Sequence, residues 1–349
     1  MSVSLTLALD AMGGDDAPDM VIGGIDIAHR RFPDVRFLLF GDESRLRPLL
    51  AARPQLAAAC SVHHTPDVVT AEDRPSQALR KARNSSMRLA IDAVRDGAAG
   101  GVVSAGNTGA LMAMAKVVLK TLPGIQRPAL ATCLPTLEGE TVMLDLGANV
   151  ESDEYHLVQF ALMGADYAHT VRGVANPKVG LLNVGVEELK GNEIVKAAGQ
   201  ILRAANPPFI FHGFIEGDDI NKGTVDVVVT DGFTGNVALK TVEGAARMFT
   251  EFMSAAYRDS FRARLGFAVA KPALTALRAH FDPRAYNGAV FLGLNGIVVK
   301  SHGGTDEIGF ANAVVSAINM IAERLTDRIV ADFEHFLAEV VPDSKAAAS

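Results

Sequence analysis

The stretch VVSAGNTGAL, residues 102–111, predicts a β-strand that ends in a glycine loop and passes directly into an uncharged helix start. Residues 227–237, VVVTDGFTGNV, repeat this pattern and share its Asn and its Thr-Gly. A helix that begins at such a loop presents unpaired backbone N–H groups at the positive end of its dipole, where anions bind. Ordinary turns of an α/β sheet are also rich in glycine, but the repeated pattern favours two anion-binding loops, with phosphate as the expected anion.

Predicted strands alternate with predicted helices along most of the chain. The strands are expected at residues 5–9, 35–40, 101–104, 141–146, 179–183, 209–211, 225–230 and 297–300. The helices are expected at residues 19–31, 85–96, 109–120, 154–169, 187–204, 236–257 and 312–325. This alternation favours parallel sheets with helices on both faces, and such sheets bind ligands at the carboxyl ends of their strands.

The length of 349 residues exceeds what one hydrophobic core usually serves, so two lobes are expected. No Gly/Ser-rich or Pro-rich linker divides the chain, and the two lobes are therefore expected to be interwoven. We predict an α/β protein with a three-layer α/β/α, Rossmann-like architecture, in a single domain that spans residues 1–349.

Composition and motifs argue against several classes of protein. The chain has 40 acidic and 33 basic residues and a net charge of −7, which argues against nucleic acid as a partner. It contains no Gly-x-Gly and no Gly-Lys pair, so the usual dinucleotide fingerprint and the usual P-loop are absent. Cys60 and Cys133 are far apart and the histidines lack metal-ligand spacing, so no metal site is expected. Residues 1–9 resemble a strand rather than a signal peptide, which indicates a cytoplasmic protein.

Nine short motifs recur in the order in which one known family has them. They are residues 9–15, 84–87, 104–112, 127–130, 145–149, 179–185, 190–193, 230–237 and 300–303. Together they resemble the phosphate acyltransferases of bacterial phospholipid synthesis, the PlsX family, over residues 5 to about 320. The resemblance implies transfer of a fatty acyl group from acyl-[acyl carrier protein] to inorganic phosphate without a cofactor. It also implies an architecture like that of isocitrate and isopropylmalate dehydrogenases and phosphotransacetylase, and a homodimer.

The resemblance also implies site residues. Lys190 and Asn236 correspond to the catalytic lysine and asparagine of the family. Without the resemblance, Lys190 would be interpreted as a solvated helix lysine and Asn236 as the N-cap of its helix. Further residues are expected to line the phosphate and acyl-thioester pocket: Asn107, Thr108, Gly109, Asn149, Asp231, Thr234, Gly235 and His302. His302 could equally be a buried, hydrogen-bonded histidine.

Two surface features are candidates for partner binding. Arg80, Lys81 and Arg83 concentrate positive charge that could steer the acidic carrier protein, although a solvated helix end has the same composition. Residues 252–281 combine apolar side chains with basic ones, and Gly266 and Pro272 are expected to divide them into short helices. We expect this segment to contact anionic lipid or to pack at a dimer interface. Peripheral contact with the membrane would deliver acyl phosphate to a membrane glycerol-3-phosphate acyltransferase.

Two other functions remain open from the residues alone. A hydroxyacid dehydrogenase of the isocitrate dehydrogenase type would need a nicotinamide site and metal-binding carboxylates, and the missing Gly-x-Gly counts only modestly against it. A non-catalytic module that binds acyl carrier protein or lipid would leave Lys190 and Asn236 unexplained. A change in melting temperature with NAD or NADP would distinguish the first from an acyltransferase.

Overall fold

A computed structural model describes residues 5–258, 260–280, 282 and 284–340. Eleven strands form one continuous sheet. They are β1 (Thr6–Asp10), β2 (Arg36–Gly41), β3 (Cys60–His64), β4 (Gly101–Ser104), β5 (Ala129–Thr136), β6 (Gly139–Leu144), β7 (Lys178–Leu182), β8 (Ile210–Ile215), β9 (Val227–Val229), β10 (Ala289–Leu292) and β11 (Ile297–Lys300).

Thirteen helices lie within the described part of the chain. They are α1 (Asp19–Arg31), α2 (Glu43–Ala51), α3 (Pro54–Ala59), α4 (Pro75–Lys81), α5 (Ser86–Arg95), α6 (Thr108–Leu119), α7 (Glu154–Arg172), α8 (Glu193–Ala204), α9 (Gly217–Lys222), α10 (Gly232–Arg258), α11 (Phe261–His280), α12 (Glu307–Ala322) and α13 (Leu325–Val340).

Both faces of the sheet are buried under helices. Successive residues of a strand point to opposite faces, and in β1 Leu7 and Leu9 join one core while Ala8 joins another. The first core receives side chains from α1, α7, α8 and α12, and the second receives them from α5 and α6. The predicted three-layer α/β/α architecture is therefore confirmed.

The sheet contains two parallel sections that run in opposite directions. Its strand order is β3-β2-β1-β4-β11-β10-β5-β6-β9-β7-β8. Strands β3, β2, β1, β4 and β11 are parallel in the first section, and β6, β9, β7 and β8 are parallel in the second. Strand β10 is antiparallel to both β11 and β5, and β5 is antiparallel to β6, so the direction reverses between the sections. The expected parallel pairing is confirmed within each section, and the antiparallel strands β10 and β5 at their junction were not among the predicted strands.

The chain crosses between the two sections twice. It builds the first lobe through β4, forms the second lobe from β5 to β9, and returns through β10 and β11 to pair with β4. On its return α12 packs against α1, which lies close to the start of the chain. The predicted interweaving of the lobes is thus confirmed.

A pair of helices, α10 and α11, extends from the second lobe. Among the residues of the pair whose burial is described, only Gly232 and Gly235, in the first turn of α10, are buried. Helix α11 continues through Gly266 and Pro272, so the expected division into short helices is wrong. The many alanines of residues 261–280 favour a helix strongly enough to carry it past both residues. None of the described helices is long and apolar enough to cross a bilayer.

Candidate functional site

A cleft lies at the carboxyl edge of the second lobe, where the parallel strands β6, β9, β7 and β8 end side by side. One part has a volume of about 520 Å³ and is lined by Leu182, Asn183, Val184, Gly191, Asn192, Val195, Gly217, Thr230, Asp231 and Thr234. An adjoining part of about 530 Å³ shares Asn192, Val195 and Asp231 with it and reaches Arg127 and His156. Parallel sheets bind ligands at this edge, so the cleft is the candidate active site.

Asp231 starts helix α10 and forms one wall of the cleft. Its Oδ1 accepts the backbone N–H of Thr234 at 2.9 Å, and its Oδ2 accepts the Thr234 hydroxyl at 2.7 Å. Helix α10 therefore begins at Gly232, four residues before the predicted start. The interpretation of Asn236 as the N-cap is wrong, because Asp231 takes that position.

The first turn of α10 packs tightly against the loop that follows β6. The N–H of Gly232 donates to the carbonyl oxygen of Asn149 at 2.9 Å. A Cβ on Gly235 would overlap the carbonyl oxygen of Asp145, so only glycine allows this approach. Asn236 is exposed, and its Cβ lies 3.5 Å from where a Cβ of Gly147 would be. The packing holds Asn236 at the open edge of the sheet.

The loop after β6 is organised around the buried carboxylate of Asp145. Its Oδ1 accepts the N–H groups of Leu130, Gly147 and Ala148, and its Oδ2 accepts the backbone N–H and the side-chain amide of Asn149. Burial raises the pKa of Asp145, and these N–H donors oppose the shift. The Asn149 amide also donates to Pro128 at 2.7 Å, so Asn149 supports the loop from a buried position.

Lys190 lies in the loop between β7 and α8. The prediction of a helix from residue 187 is wrong: α8 begins at Glu193, where Oδ1 of Asn192 accepts the N–H of Val195. Lys190 is therefore not a helix lysine. Its Nζ lies 3.0 Å from Oε1 of Glu187, and both side chains are more than half exposed. This pairing lowers the pKa of Glu187. The next residue, Gly191, lines the cleft, whereas Lys190 is not among the lining residues given above.

The first predicted anion-binding loop lies in the other lobe. Asn107 caps α6 by accepting the N–H of Ala110, and its side-chain amide donates to the carbonyl oxygens of residues 70, 71 and 73. Gly109 packs against Pro75, and Thr108 is exposed. None of the residues given above as lining the two parts of the cleft belongs to this loop. The two glycine loops that are alike in sequence, at residues 102–111 and 227–237, therefore lie apart in the structure.

Four of the nine motifs meet in a polar cluster beside this first-lobe loop. The buried carboxylate of Asp10 accepts the hydroxyls of Ser86 at 2.6 Å and of Ser104 at 2.7 Å. Nearby, the Lys300 ammonium donates to the carbonyl oxygens of Ser301 and Ala105. Burial lowers the pKa of Lys300 to about 8, although the carboxylates of Asp10 and Asp15 oppose the shift. The motifs lie far apart in the chain, so their sequences alone do not reveal the Asp10 cluster or the desolvated Lys300.

His302 lies on the rim of the same region. It is exposed, and its Nδ1 accepts the backbone N–H of Gly304 at 3.2 Å. The alternative of a buried histidine is therefore wrong. Arg80, Lys81 and Arg83 are also exposed, on and just after α4, whose first residue Pro75 contacts Gly109. The basic triplet therefore neighbours the first-lobe loop.

Metal binding and cysteine nucleophiles are two other kinds of chemistry that the described residues can be checked for. Among them, no three His, Cys, Asp or Glu side chains are grouped so that they could hold a metal ion. Burial raises the pKa of both Cys60 and Cys133 to about 12, so both are thiols at neutral pH and poor nucleophiles.

Comparisons with known proteins agree on one family. A family model described as "Fatty acid synthesis protein" matches residues 5–328. A phosphate acyltransferase of Paramagnetospirillum magneticum is 54% identical over 99% of both chains. Those of Parvibaculum lavamentivorans and Rhodospirillum centenum are each 58% identical, over 96% and 94% of this chain and 93% of each relative.

Solved structures share the fold at low sequence identity. A phosphotransacetylase from Streptococcus pyogenes superposes with a TM-score of 0.62 at 15% identity, over 93% of this chain and 95% of its own. The EutD phosphotransacetylase from Staphylococcus aureus has a TM-score of 0.57 at 17% identity, over 92% and 94%. A 4-hydroxythreonine-4-phosphate dehydrogenase from Klebsiella pneumoniae reaches 0.52 at 16% identity, over 92% and 98%. The predicted likeness to the phosphotransacetylase and dehydrogenase architecture is confirmed, and the curated relatives show that the chain belongs to the phosphate acyltransferases of the PlsX family.

Proposed function

We propose that the protein transfers a fatty acyl group from acyl-[acyl carrier protein] to inorganic phosphate, giving acyl phosphate for phospholipid synthesis. The 54% identity to a phosphate acyltransferase over 99% of both chains carries this proposal. A phosphate oxygen attacks the thioester carbonyl carbon, the C–S bond breaks, and the carrier protein leaves as a thiolate. Phosphate is already an anion at neutral pH, so the reaction needs no strong general base. It needs neutralisation of the phosphate charge and stabilisation of the oxyanion that develops on the carbonyl.

Lys190 and Asn236 are proposed to meet these two needs. The Lys190 ammonium would pair with phosphate, and the Asn236 amide would donate to the developing oxyanion. They follow β7 and β9, which are neighbours in the sheet, and the side chains of both are accessible. Asp231 and Thr234 line the cleft at the start of α10, and Gly235 allows that turn to approach the loop after β6.

The predicted pocket residues of the first lobe are proposed to have two kinds of role, substrate contact and support of the loop. Thr108 and His302 are exposed and, because the structure separates them from Lys190 and Asn236, are proposed to contact a part of the acyl donor that lies away from its reacting carbonyl. Asn107 and Gly109 hold the loop through their contacts with residues 70–75, and Asn149 does the same for the start of α10. These three are proposed to shape the pocket rather than to bind substrate.

The function is tested by incubating the protein with palmitoyl carrier protein and labelled phosphate. We expect a labelled acyl phosphate to form. The dehydrogenase alternative predicts a rise in melting temperature with NAD or NADP, and the binding-module alternative predicts no product. The three relatives named above, which are 54% to 58% identical, are phosphate acyltransferases, so neither alternative is favoured. Absence of product with an intact acyl donor would refute the proposal.

The protein is proposed to act as a homodimer through α10. Met248, Phe249 and Phe252 of this 27-residue helix are 53%, 60% and 67% exposed, an unusual amount of apolar surface for a helix. A second copy would cover it. We expect sedimentation equilibrium to give twice the mass of 36.8 kDa, and Phe249→Glu to shift the protein toward the monomer. A parent protein that sediments as a monomer would contradict the dimer.

Carrier protein is proposed to dock on Arg80, Lys81 and Arg83. Reversal of all three to Glu should raise the apparent KM for acyl carrier protein about tenfold, because the carrier protein is acidic. Salt should raise the parent's KM as well, by screening the same attraction. Steady-state kinetics measure both effects. The matched control reverses Arg31, Arg47 and Arg324, which are exposed elsewhere, and so makes the same change in net charge. Equal KM values for the two triple variants would remove the docking surface.

The helix pair is proposed to touch anionic membrane, which would give a cytoplasmic protein peripheral contact with the bilayer. The exposed apolar residues include Phe261 at 80%, Leu265 at 59%, Phe267 at 42% and Val269 at 78%. Arg258, Arg262, Arg264 and Lys271 are exposed among them, each worth about 1 kcal/mol near an anionic surface. Asp259 and Phe281 of the predicted segment lie outside the described residues, as do the side chains of Leu277 and Arg278. Contact here would release acyl phosphate close to a membrane glycerol-3-phosphate acyltransferase.

Leu265→Glu with Phe267→Glu should abolish sedimentation with anionic liposomes while soluble acyl transfer stays within about twofold of the parent. Burial of two apolar side chains in the bilayer would be lost and two negative charges would face lipid phosphates. The control is Leu137→Glu, at an 85% exposed leucine in the β5–β6 turn. The parent and the control should bind anionic but not neutral vesicles, and salt should release them. A double variant that sediments like the parent would contradict the contact.

A further inference from the structure

The side chain of Asn183 holds both ends of the loop that carries Lys190. Asn183 follows β7, and its backbone N–H donates to the carbonyl oxygen of Ile215 at 2.8 Å, which ties it to β8. Its Nδ2 donates to the carbonyl oxygen of Gly185 at 3.1 Å and to that of Lys190 at 3.0 Å. One amide group, anchored in the sheet, therefore joins the beginning and the end of the segment 185–190.

Close packing reinforces these two hydrogen bonds. Gly191 has a φ of +94°, and a Cβ there would overlap Oδ1 of Asn183. A Cβ on Gly185 would overlap Cδ of Lys190, because the lysine side chain lies across that glycine. The stem of Lys190 thus has a defined path over the loop, and this path depends on the carbonyl groups that Asn183 holds.

The ion pair of Lys190 with Glu187 holds the lysine less firmly than the packing on Gly185 does. This ion pair joins two side chains that are 53% and 59% exposed, and exposed pairs contribute little to holding a conformation. A primary amide supplies two N–H groups, and here both are used on carbonyl oxygens of the loop. The Asn183 amide therefore has no N–H left for a substrate, although Asn183 lines the cleft.

We propose that Asn183 is a positioning residue for acyl transfer, which fixes the 185–190 loop so that the Lys190 ammonium faces the phosphate site. This inference rests on the proposed function and on the role given to Lys190 within it. None of the residues proposed to contact substrate lies in the motif of residues 179–185, and the positioning role of Asn183 gives that motif a function. Phosphate, rather than the acyl donor, is the substrate whose binding depends on Asn183.

The test combines Asn183→Ala and Asn183→Asp with Lys190→Ala. In the parent background, each Asn183 variant should raise KM for phosphate about tenfold and leave KM for acyl carrier protein within twofold. Asp removes both donors and places a charge against two carbonyl oxygens, so it should be the more severe. In the Lys190→Ala background the same changes should have no further effect, because the group they position is gone.

A matched control separates positioning from general loss of stability. The amide of Asn312, on α12 in the first lobe, donates to the carbonyl oxygen of Arg284 at 2.8 Å, so Asn312→Ala removes a similar bond elsewhere. It should lower the melting temperature without changing KM for phosphate. Hydrogen exchange should rise in residues 184–191 of the Asn183 variants and not in Asn312→Ala.

The outcomes distinguish the two claims. If Lys190→Ala keeps parent activity, the role given to Lys190 in the proposed function fails. If Lys190→Ala is impaired but the Asn183 variants retain the parent KM for phosphate, only the positioning role fails. Equal effects of Asn183→Ala in both backgrounds would also overturn it, since Asn183 would then act independently of Lys190. An Asn183 variant that does not fold is replaced by the other, and Asn183→Ser serves if both fail.

Discussion

Replacement of Lys190 by Ala is expected to lower turnover by about two to three orders of magnitude, and Asn236→Ala by a similar factor, without loss of the fold. A single donor to a developing charge in an active site is worth about 3 kcal/mol, which sets this scale. Both side chains are exposed at the edge of the sheet and are not part of its core, so their removal should cost little stability. Lys190→Arg should also be poor, because a planar guanidinium does not replace a compact ammonium group.

Turnover is measured as acyl phosphate formed from palmitoyl carrier protein at saturating phosphate, with melting temperatures as a check on folding. Lys196→Ala is a matched control, since Lys196 lies on α8 and pairs with Glu193. Asn221→Ala, at an exposed asparagine of the same lobe, is the second control. Both should keep turnover within about twofold of the parent. Near-parent turnover for Lys190→Ala or for Asn236→Ala would show that the role given to that residue is wrong.

The sequence predicts the edge of the sheet where the second-lobe site lies, because local signals define it. Residues 227–229 are a β-branched run followed by Thr-Asp-Gly, residues 179–182 are VGLL followed by Asn183, and the structure has strand ends at both. The start of α10 was misplaced because Asp231 and Asn236 are both good N-caps. Asp231 is the N-cap because Gly232 and Gly235 pack on the loop after β6. That contact joins residues far apart in the chain, so the local sequence does not predict it.

The segment that carries Lys190 differs from its predicted helix because specific contacts override helix propensity. Residues 187–190 contain good helix formers and would extend α8 by propensity alone. Helix α8 begins only at Glu193 instead. Asn192 caps it there, Gly191 has a positive φ, and the two hydrogen bonds from Asn183 hold residues 185–190 in a loop. Propensity is a weak prior, and here several specific contacts override it.

The relation between the two glycine loops could not be predicted from their sequences. Their likeness suggests one shared site, yet they follow strands of opposite direction, because three antiparallel pairings, β11–β10, β10–β5 and β5–β6, lie between them. Strands β5, β10 and β3 were all missed. β5 contains Pro135, β10 has only four residues, and β3 is an edge strand with exposed His63 and His64. β5 shows no regular alternation, and the apolar run of β10 and the alternation in β3 each span only four residues, a length at which the pattern is ambiguous.

Gly235→Ala is expected to destabilise the protein and to lower turnover at least 100-fold. The new Cβ would overlap the carbonyl oxygen of Asp145, and both groups belong to backbone that cannot rotate away. The loop that holds Asp145 is itself fixed by five N–H groups on its carboxylate, so the first turn of α10 must move instead. Overpacking of this kind costs about 1–3 kcal/mol, and the shift would displace the neighbouring Asn236 from the oxyanion it is proposed to stabilise.

Gly244→Ala in the same helix provides the matched control. A Cβ at Gly244 meets nothing within 4 Å, and alanine is the better helix former, so this variant should gain about 0.5–1 kcal/mol and keep its activity. Chemical denaturation and acyl transfer assays of both variants measure the difference. The same residue change at two glycines of one helix should therefore have opposite effects on stability, and only Gly235→Ala should affect turnover. If Gly235→Ala is as stable and as active as Gly244→Ala, then the contact between α10 and the Asp145 loop does not hold the site in place.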